Sequence, residues 1–121
     1  ANVLSGGNGD DSILGGTGND TILGGDGIDN INTGNGVNNA DGGAGNDIFV
    51  FVKGEAGGDS ISDFAGNGAA AGDAIRMIGW GAGTKMVQGT GSNWIITDGI
   101  DHSTATIAIT GAVHASDILY G

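Results

Sequence analysis

Along the first fifty positions an apolar side chain returns at every ninth residue. Written in register, Gly6 to Leu14 reads GGNGDDSIL, Gly15 to Leu23 GGTGNDTIL, Gly24 to Asn32 GGDGIDNIN, Thr33 to Asp41 TGNGVNNAD and Gly42 to Val50 GGAGNDIFV. The eighth place holds Ile13, Ile22, Ile31, Ala40 and Phe49, and the sixth holds Asp11, Asp20, Asp29, Asn38 and Asp47. Run backwards, the register puts Asn2 at a sixth place and Leu4 at an eighth, so residues 1–5 read as the tail of an earlier repeat. With no initiator Met, the chain is expected to be cut from a longer protein.

Each nonapeptide divides physically into a glycine-rich hexad, able to visit positive φ, and a three-residue extended segment with one inward side chain. A lone strand of three residues is not stable. Successive turns stacked as a solenoid bury the apolar column and pair the backbone along the stack. If each hexad reverses the chain, alternate strands fall into two opposed sheets and residues 18 apart become vertical neighbours. Asp11, Asp29 and Asp47 then share one column, and Asp20 and Asn38 the other.

The sequence has 3 basic and 14 acidic side chains in 121 residues, a net charge of −11, with 28 glycines, no proline and no cysteine. Disulfides are excluded, and so is collagen, which needs a Gly-X-Y triplet and proline. With Lys53, Arg76 and Lys85 as the only such cations, nothing could neutralise nucleic-acid phosphates, and no apolar run is long enough for membrane insertion. The charge points to a cation as partner. Carboxylates stacked at the roughly 4.8 Å spacing of a ladder repel by about 1 kcal/mol in water and more where solvent is restricted. Calcium, with oxygens at about 2.3–2.6 Å, turns that repulsion into attraction, and glycine-rich turns offer uncovered carbonyls to complete its shell. Zinc or copper would call for Cys or His.

The hexads GGNGDD, GGTGND, GGDGID and GGAGND resemble the GGxGxDxUx pattern of the RTX calcium-binding repeat, in strict register over residues 2–50. The resemblance implies an all-β fold, a parallel β-roll with several calcium ions between loops two repeats apart. Each ion would take sixth-place side chains, Asp11 with Asp29, Asp29 with Asp47 and Asp20 with Asn38. It would also take backbone carbonyls from the set Gly6, Asn8, Gly15, Thr17, Gly24, Gly25, Asp26, Gly27, Gly34, Gly36, Gly43 and Gly45. The fourth repeat departs from the pattern, with Thr33 for the first glycine, Asn38 for the aspartate and Ala40 for the large apolar residue. It should give the weakest site and a thin spot in the core, although Gly34 and Gly36 still allow its turn.

Beyond residue 50 the register slips. Gly57-Gly58-Asp59-Ser60-Ile61 and Gly72-Asp73-Ala74-Ile75 look like degenerate repeats with Asp63-Phe64 between them, which makes Asp59, Asp63 and Asp73 further candidate ligands. Phe49, Phe51 and Phe64 supply bulk at the end of the stack. The expected division is a roll over 1–75 and a cap over 76–121, where only three of the 13 aspartates remain. Ser92 to Thr97 and Thr104 to Thr110 are β-branched runs joined by Asp98-Gly99-Ile100-Asp101-His102, a hairpin turn, and Ile118 to Tyr120 is a last strand. An antiparallel β cap without a long helix is expected.

Asp98, Asp101 and His102 are read as turn residues rather than a metal or catalytic group, His114 as solvent-exposed, and Trp80 and Trp94 as cap core rather than a carbohydrate platform. The third-place column Asn8, Thr17, Asp26, Asn35, Ala44 is too irregular for an ice-binding face. No GxSxG, HExxH or P-loop occurs, so this piece is expected not to be an enzyme. The resemblance implies a calcium-dependent folding module of a secreted protein, found extracellularly or at the cell surface. Extracellular calcium, at an affinity of about 10⁻⁴–10⁻³ M, would bind the folded loops and draw folding forward after export. Its partners would be upstream domains of the parent chain and the type I secretion apparatus, and Ser116 to Tyr120 resembles the acidic-then-apolar ending of some relatives. The alternatives are a self-associating adhesin or surface-layer segment, and the non-catalytic tail of a secreted protease, lipase or alginate-modifying enzyme.

Overall fold

The computed structural model describes residues 1–55, 57–65 and 72–120. Its strands are β1 (Val3–Asn8), β2 (Ser12–Leu14), β3 (Thr21–Asp26), β4 (Asn30–Asn32), β5 (Asn39–Ala44), β6 (Ile48–Val52), β7 (Ser60–Ala65), β8 (Ala74–Ile78), β9 (Lys85–Gln88), β10 (Asn93–Thr97), β11 (Thr104–Ala112) and β12 (Ile118–Tyr120). The only helical element among the described residues is a 3-10 turn, Ala115–Asp117. Odd and even strands of the repeat region separate into two opposed sheets, ordered β1-β3-β5-β7-β11-β10-β9 and β12-β8-β6-β4-β2.

The nine-residue period fixes this arrangement. Parallel pairing puts Leu4 beside Ile22 and Ile22 beside Ala40 in one sheet, and Ile13 beside Ile31 and Ile31 beside Phe49 in the other. Each step is 18 residues, two nonapeptides that together make one full coil. The hexads reverse the chain through positive φ at their second and fourth places, as at Gly25 (φ 116) and Gly27 (φ 131). A Cβ on Gly25 would collide with the carbonyl oxygen of Gly7 in the coil above, so packing of the coils as well as backbone angle requires glycine there.

The eighth-place side chains meet between the sheets. Ile22, Ile31, Ala40 and Phe49 are fully buried, and each Ile burial contributes about 1.5–3 kcal/mol. Ala40 lies in its column between Ile22 and Ile61. Phe49 and Phe64 bring ring centroids to 6.0 Å, tilted by 46°, and Phe51 is also buried.

The columns run on past the strict repeats. Ile61 of β7 pairs beside Ala40, and Ile75 of β8 beside Phe49. In the C-terminal part β9, β10 and β11 are antiparallel neighbours, while β11 joins β7 and β12 joins β8 in parallel. Trp80 and Trp94 are half-buried against the core, and the Trp80 indole donates to the Phe51 carbonyl at 3.3 Å.

Candidate metal centre

The sixth place of each repeat closes its turn, so its side chain lies at an edge of the roll where coils stack. There the six residues make one repeated contact. The backbone N–H of Asp11 donates to Oδ1 of Asp29 at 2.8 Å, that of Asp29 to Asp47 at 2.9 Å and that of Asp47 to Asp73 at 2.9 Å. On the opposite edge Asn2 donates to Asp20 at 2.7 Å, Asp20 to Asn38 Oδ1 at 2.8 Å and Asn38 to Asp59 at 2.8 Å. The expected columns therefore form, and each is one residue longer than the strict repeats indicate.

One oxygen of each carboxylate is thus committed to the neighbouring coil. The other differs from residue to residue. Oδ2 of Asp11, Asp20, Asp29 and Asp47 is buried without a hydrogen-bond partner among the described residues. A buried carboxylate oxygen with no donor costs about 1–3 kcal/mol or more, so four of them demand an explanation. Their surroundings supply one. A Cβ placed on Gly6 would lie 2.6 Å from Asp11 Oδ2 and 2.6 Å from the Gly24 carbonyl oxygen of the next coil. On Gly24 it would strike Asp29 Oδ2 and the Gly42 carbonyl, and on Gly15 the Thr33 carbonyl. The first-place glycine leaves room where a carboxylate oxygen and a carbonyl from the adjacent coil converge.

All these donors are oxygens, the set a hard divalent cation prefers. No group of three or more His, Cys, Asp or Glu side chains converges among the described residues. The donor set is therefore single carboxylates with main-chain carbonyls, and Asp11, Asp20, Asp29 and Asp47 fit calcium on that basis. Burial pushes the Asp47 carboxyl up to about 6, with the Asp73, Asp29 and Asp63 charges adding to it. A cation at the site would reverse that push.

The later candidates are satisfied differently. Asp59 accepts the Asn38 N–H on Oδ1 and the Thr33 hydroxyl on Oδ2 at 2.6 Å. Asp73 accepts the N–H groups of Asp47 and Ala65, and Asp63 those of Gly42 at 2.9 Å and Gly43 at 2.7 Å. Both oxygens of all three carry protein donors, so the feature that marks the other four is missing from them. Asn38 differs from the four aspartates as well. The Asp20 N–H fixes its carboxamide with Oδ1 inward, and Nδ2 faces the Gly34 carbonyl at 3.5 Å as a donor, not a ligand.

Several participants are not singled out by the spacing. The Thr33 and Gly42 carbonyls face first-place glycines of the coil above, whereas the Asp26 carbonyl accepts from Gly9 N–H at 2.7 Å. Asp10 and Asn19, at fifth places, accept the N–H groups of Ile28 and Val37 from the next coil at 2.8 and 2.9 Å. The polar fifth places were the available signal. In the C-terminal hairpin, buried Asp98 accepts from the N–H groups of Gly81, Ile100 and Asp101 and lies 2.9 Å from Lys53 Nζ, a fully donated carboxylate in a turn. Lys53 also reaches Asp101. His102 takes the left-handed φ of 60° in the same turn, and His114 opens the 3-10 turn through Asp117.

The family model described as RTX calcium-binding nonapeptide repeat, built of four copies, matches residues 1–31 and again 23–50. No curated protein matches the chain. Among solved structures, the solution structure of the AlgE6R3 subunit from the Azotobacter vinelandii mannuronan C5-epimerase is similar at 26% identity and a TM-score of 0.68. The match covers 98% of this chain and 78% of that one. The parallel roll, the oxygen-lined turns and the matched repeats agree, and residues 1–50 of the chain carry calcium-binding RTX nonapeptide repeats.

Proposed function

We propose that this module folds on binding extracellular calcium and thereby supports the export and stability of a larger secreted protein, itself contributing no catalysis. The observation that carries the reading is the set of four buried carboxylate oxygens without donors among the described residues. Calcium supplies the positive charge these turns lack. The chain's own part is to present Asp11, Asp20, Asp29 and Asp47 at the edges, with carbonyls of the next coil opposite the first-place glycines.

Each such position draws on two coils, so it exists only in the stacked state. Ligand that binds only the folded form stabilises it by mass action. At a net charge of −11 the unfolded chain resists compaction where calcium is scarce, as in the cytosol, and folds where it is plentiful, outside the cell. Far-UV circular dichroism tests this on the whole chain, in chelator and then through calcium and magnesium titrations. A cooperative gain of β signal with calcium alone is expected. A complete β spectrum in chelator, unchanged by calcium, would overturn the reading.

A second reading concerns the parent. The likeness to a subunit from a mannuronan C5-epimerase favours the non-catalytic tail of an alginate-modifying enzyme over that of a protease or lipase.

A further inference from the structure

The two edges of the roll differ in a way the repeat pattern does not announce. Thr33 occupies the first place of its repeat, where Gly6, Gly24 and Gly42 each leave the room that a Cβ would fill against the sixth-place Oδ2. On that edge a threonine Cβ would stand inside contact distance of the carboxylate, whereas on the edge that carries Thr33 a Cβ at Gly15 would meet the Thr33 carbonyl first. In this repeat the sixth residue is Asn38, and both side chains are 1% exposed. Asn38 keeps the inter-coil bond through Oδ1, and its second side-chain atom is an amide nitrogen, Nδ2, where Asp11, Asp20, Asp29 and Asp47 carry an oxygen without a donor among the described residues. The Thr33 hydroxyl meanwhile donates to Oδ2 of Asp59, which would otherwise be the next such oxygen in the column.

We propose that the fourth turn is a self-closed position that takes no cation. Thr33 and Asn38 together replace calcium there with protein donors, so the roll carries a continuous calcium edge at Asp11, Asp29 and Asp47 and an interrupted one at Asp20. The two departures from the repeat pattern are one compensated change. The Thr33 methyl-bearing carbon fills the space, the Asn38 amide removes a negative charge, and the hydroxyl satisfies the carboxylate below.

This rests on the calcium reading above and is tested by counting ions with native mass spectrometry and calorimetric calcium titration on the full chain. The double variant T33G/N38D restores the repeat pattern and is expected to bind one more calcium than the parent. Asn38→Ala removes the only side-chain oxygen of that turn's sixth place and is expected to leave the ion count unchanged while lowering the melting temperature. An unchanged count in the double variant, or the loss of an ion in Asn38→Ala, would overturn the proposal. Should the double variant fail to fold, the Asn38→Ala count still decides. No calcium uptake by the parent chain would instead refute the underlying reading of the module.

Discussion

Asp29 in the roll and Asp98 in the C-terminal hairpin are equally buried, each without exposed surface, and both are ionisable groups in glycine-bearing turns. Their partners separate them. Asp98 receives three N–H groups, that of Gly81 foremost, together with the Lys53 ammonium, and these hold its carboxyl well below the usual carboxylate range. Asp29 receives one N–H, from Asp11, and its second oxygen has no donor among the described residues. Burial of a carboxylate is compatible with either outcome. The hairpin neutralises its charge with the protein's own groups, and the roll delegates that task to a cation. The proposed need for calcium is therefore local to turns whose carboxylates are half-satisfied.

The largest test of this contrast separates the two oxygens of Asp29. Asp29→Ala removes both and leaves the Asp11 N–H unpaired, at a cost of about 1–3 kcal/mol even in chelator, together with the loss of much of the calcium-induced rise in melting temperature. Asp29→Asn keeps the inter-coil acceptor. It is expected to match or exceed the parent in chelator while losing the same share of the calcium response. Thermal unfolding followed by circular dichroism in both conditions reads the difference, and equal behaviour of the two variants would break the comparison.

Acidity gives a smaller effect. Burial raises the carboxyls of Asp47, Asp59 and Asp73, Asp47 to about 6 against an ordinary 3.8. A carboxyl whose folded value lies above its unfolded one favours folding when protonated. That contribution is fully present below about 4 and lost as the pH rises through about 6. The calcium-free roll is expected to gain stability as pH falls from 7 to 5, while the calcium midpoint weakens because protons compete at Asp47. Denaturant unfolding in chelator and calcium titration at those two pH values should move in opposite directions.

The smallest effect is expected at Lys53→Met, which withdraws the cation from Asp98 and Asp101. The melting temperature should fall by less than in Asp29→Ala, and the calcium midpoint should stay where it is. A shifted midpoint would show that hairpin and roll are not electrostatically separate.

Within the array, much of this was legible from spacing. An 18-residue step put Asp11, Asp29 and Asp47 in one column and Ile13 and Ile31 in another because the hexads have constant length. After residue 50 the same columns continue with steps of 21 from Asn38 to Asp59 and 26 from Asp47 to Asp73. Insertions of unequal length hide which turn stacks on which. Composition likewise marks Asp59, Asp63 and Asp73 as carboxylates in turns but cannot reveal that each already has two protein donors. Lys53 and Asp98, 45 positions apart, meet only because β11 returns to the sheet beside β7. No local pattern encodes that return.

The 18-residue stagger also sets the order in which the molecule can assemble. Closing a loop grows costlier only slowly with its length, and short closures are fast. Every ladder contact within the array spans the same short separation, so each new coil meets the same small entropic barrier as the last, and growth along the stack resembles elongation after a nucleus. The pairing of β7 with β11 joins Ser60 to Ala108, a separation of 48 residues, and needs β7 already docked on β5 to have a sheet to join. The C-terminal strands are thus expected to close the structure last, with the slowest phase of refolding at that joint rather than in the repeats.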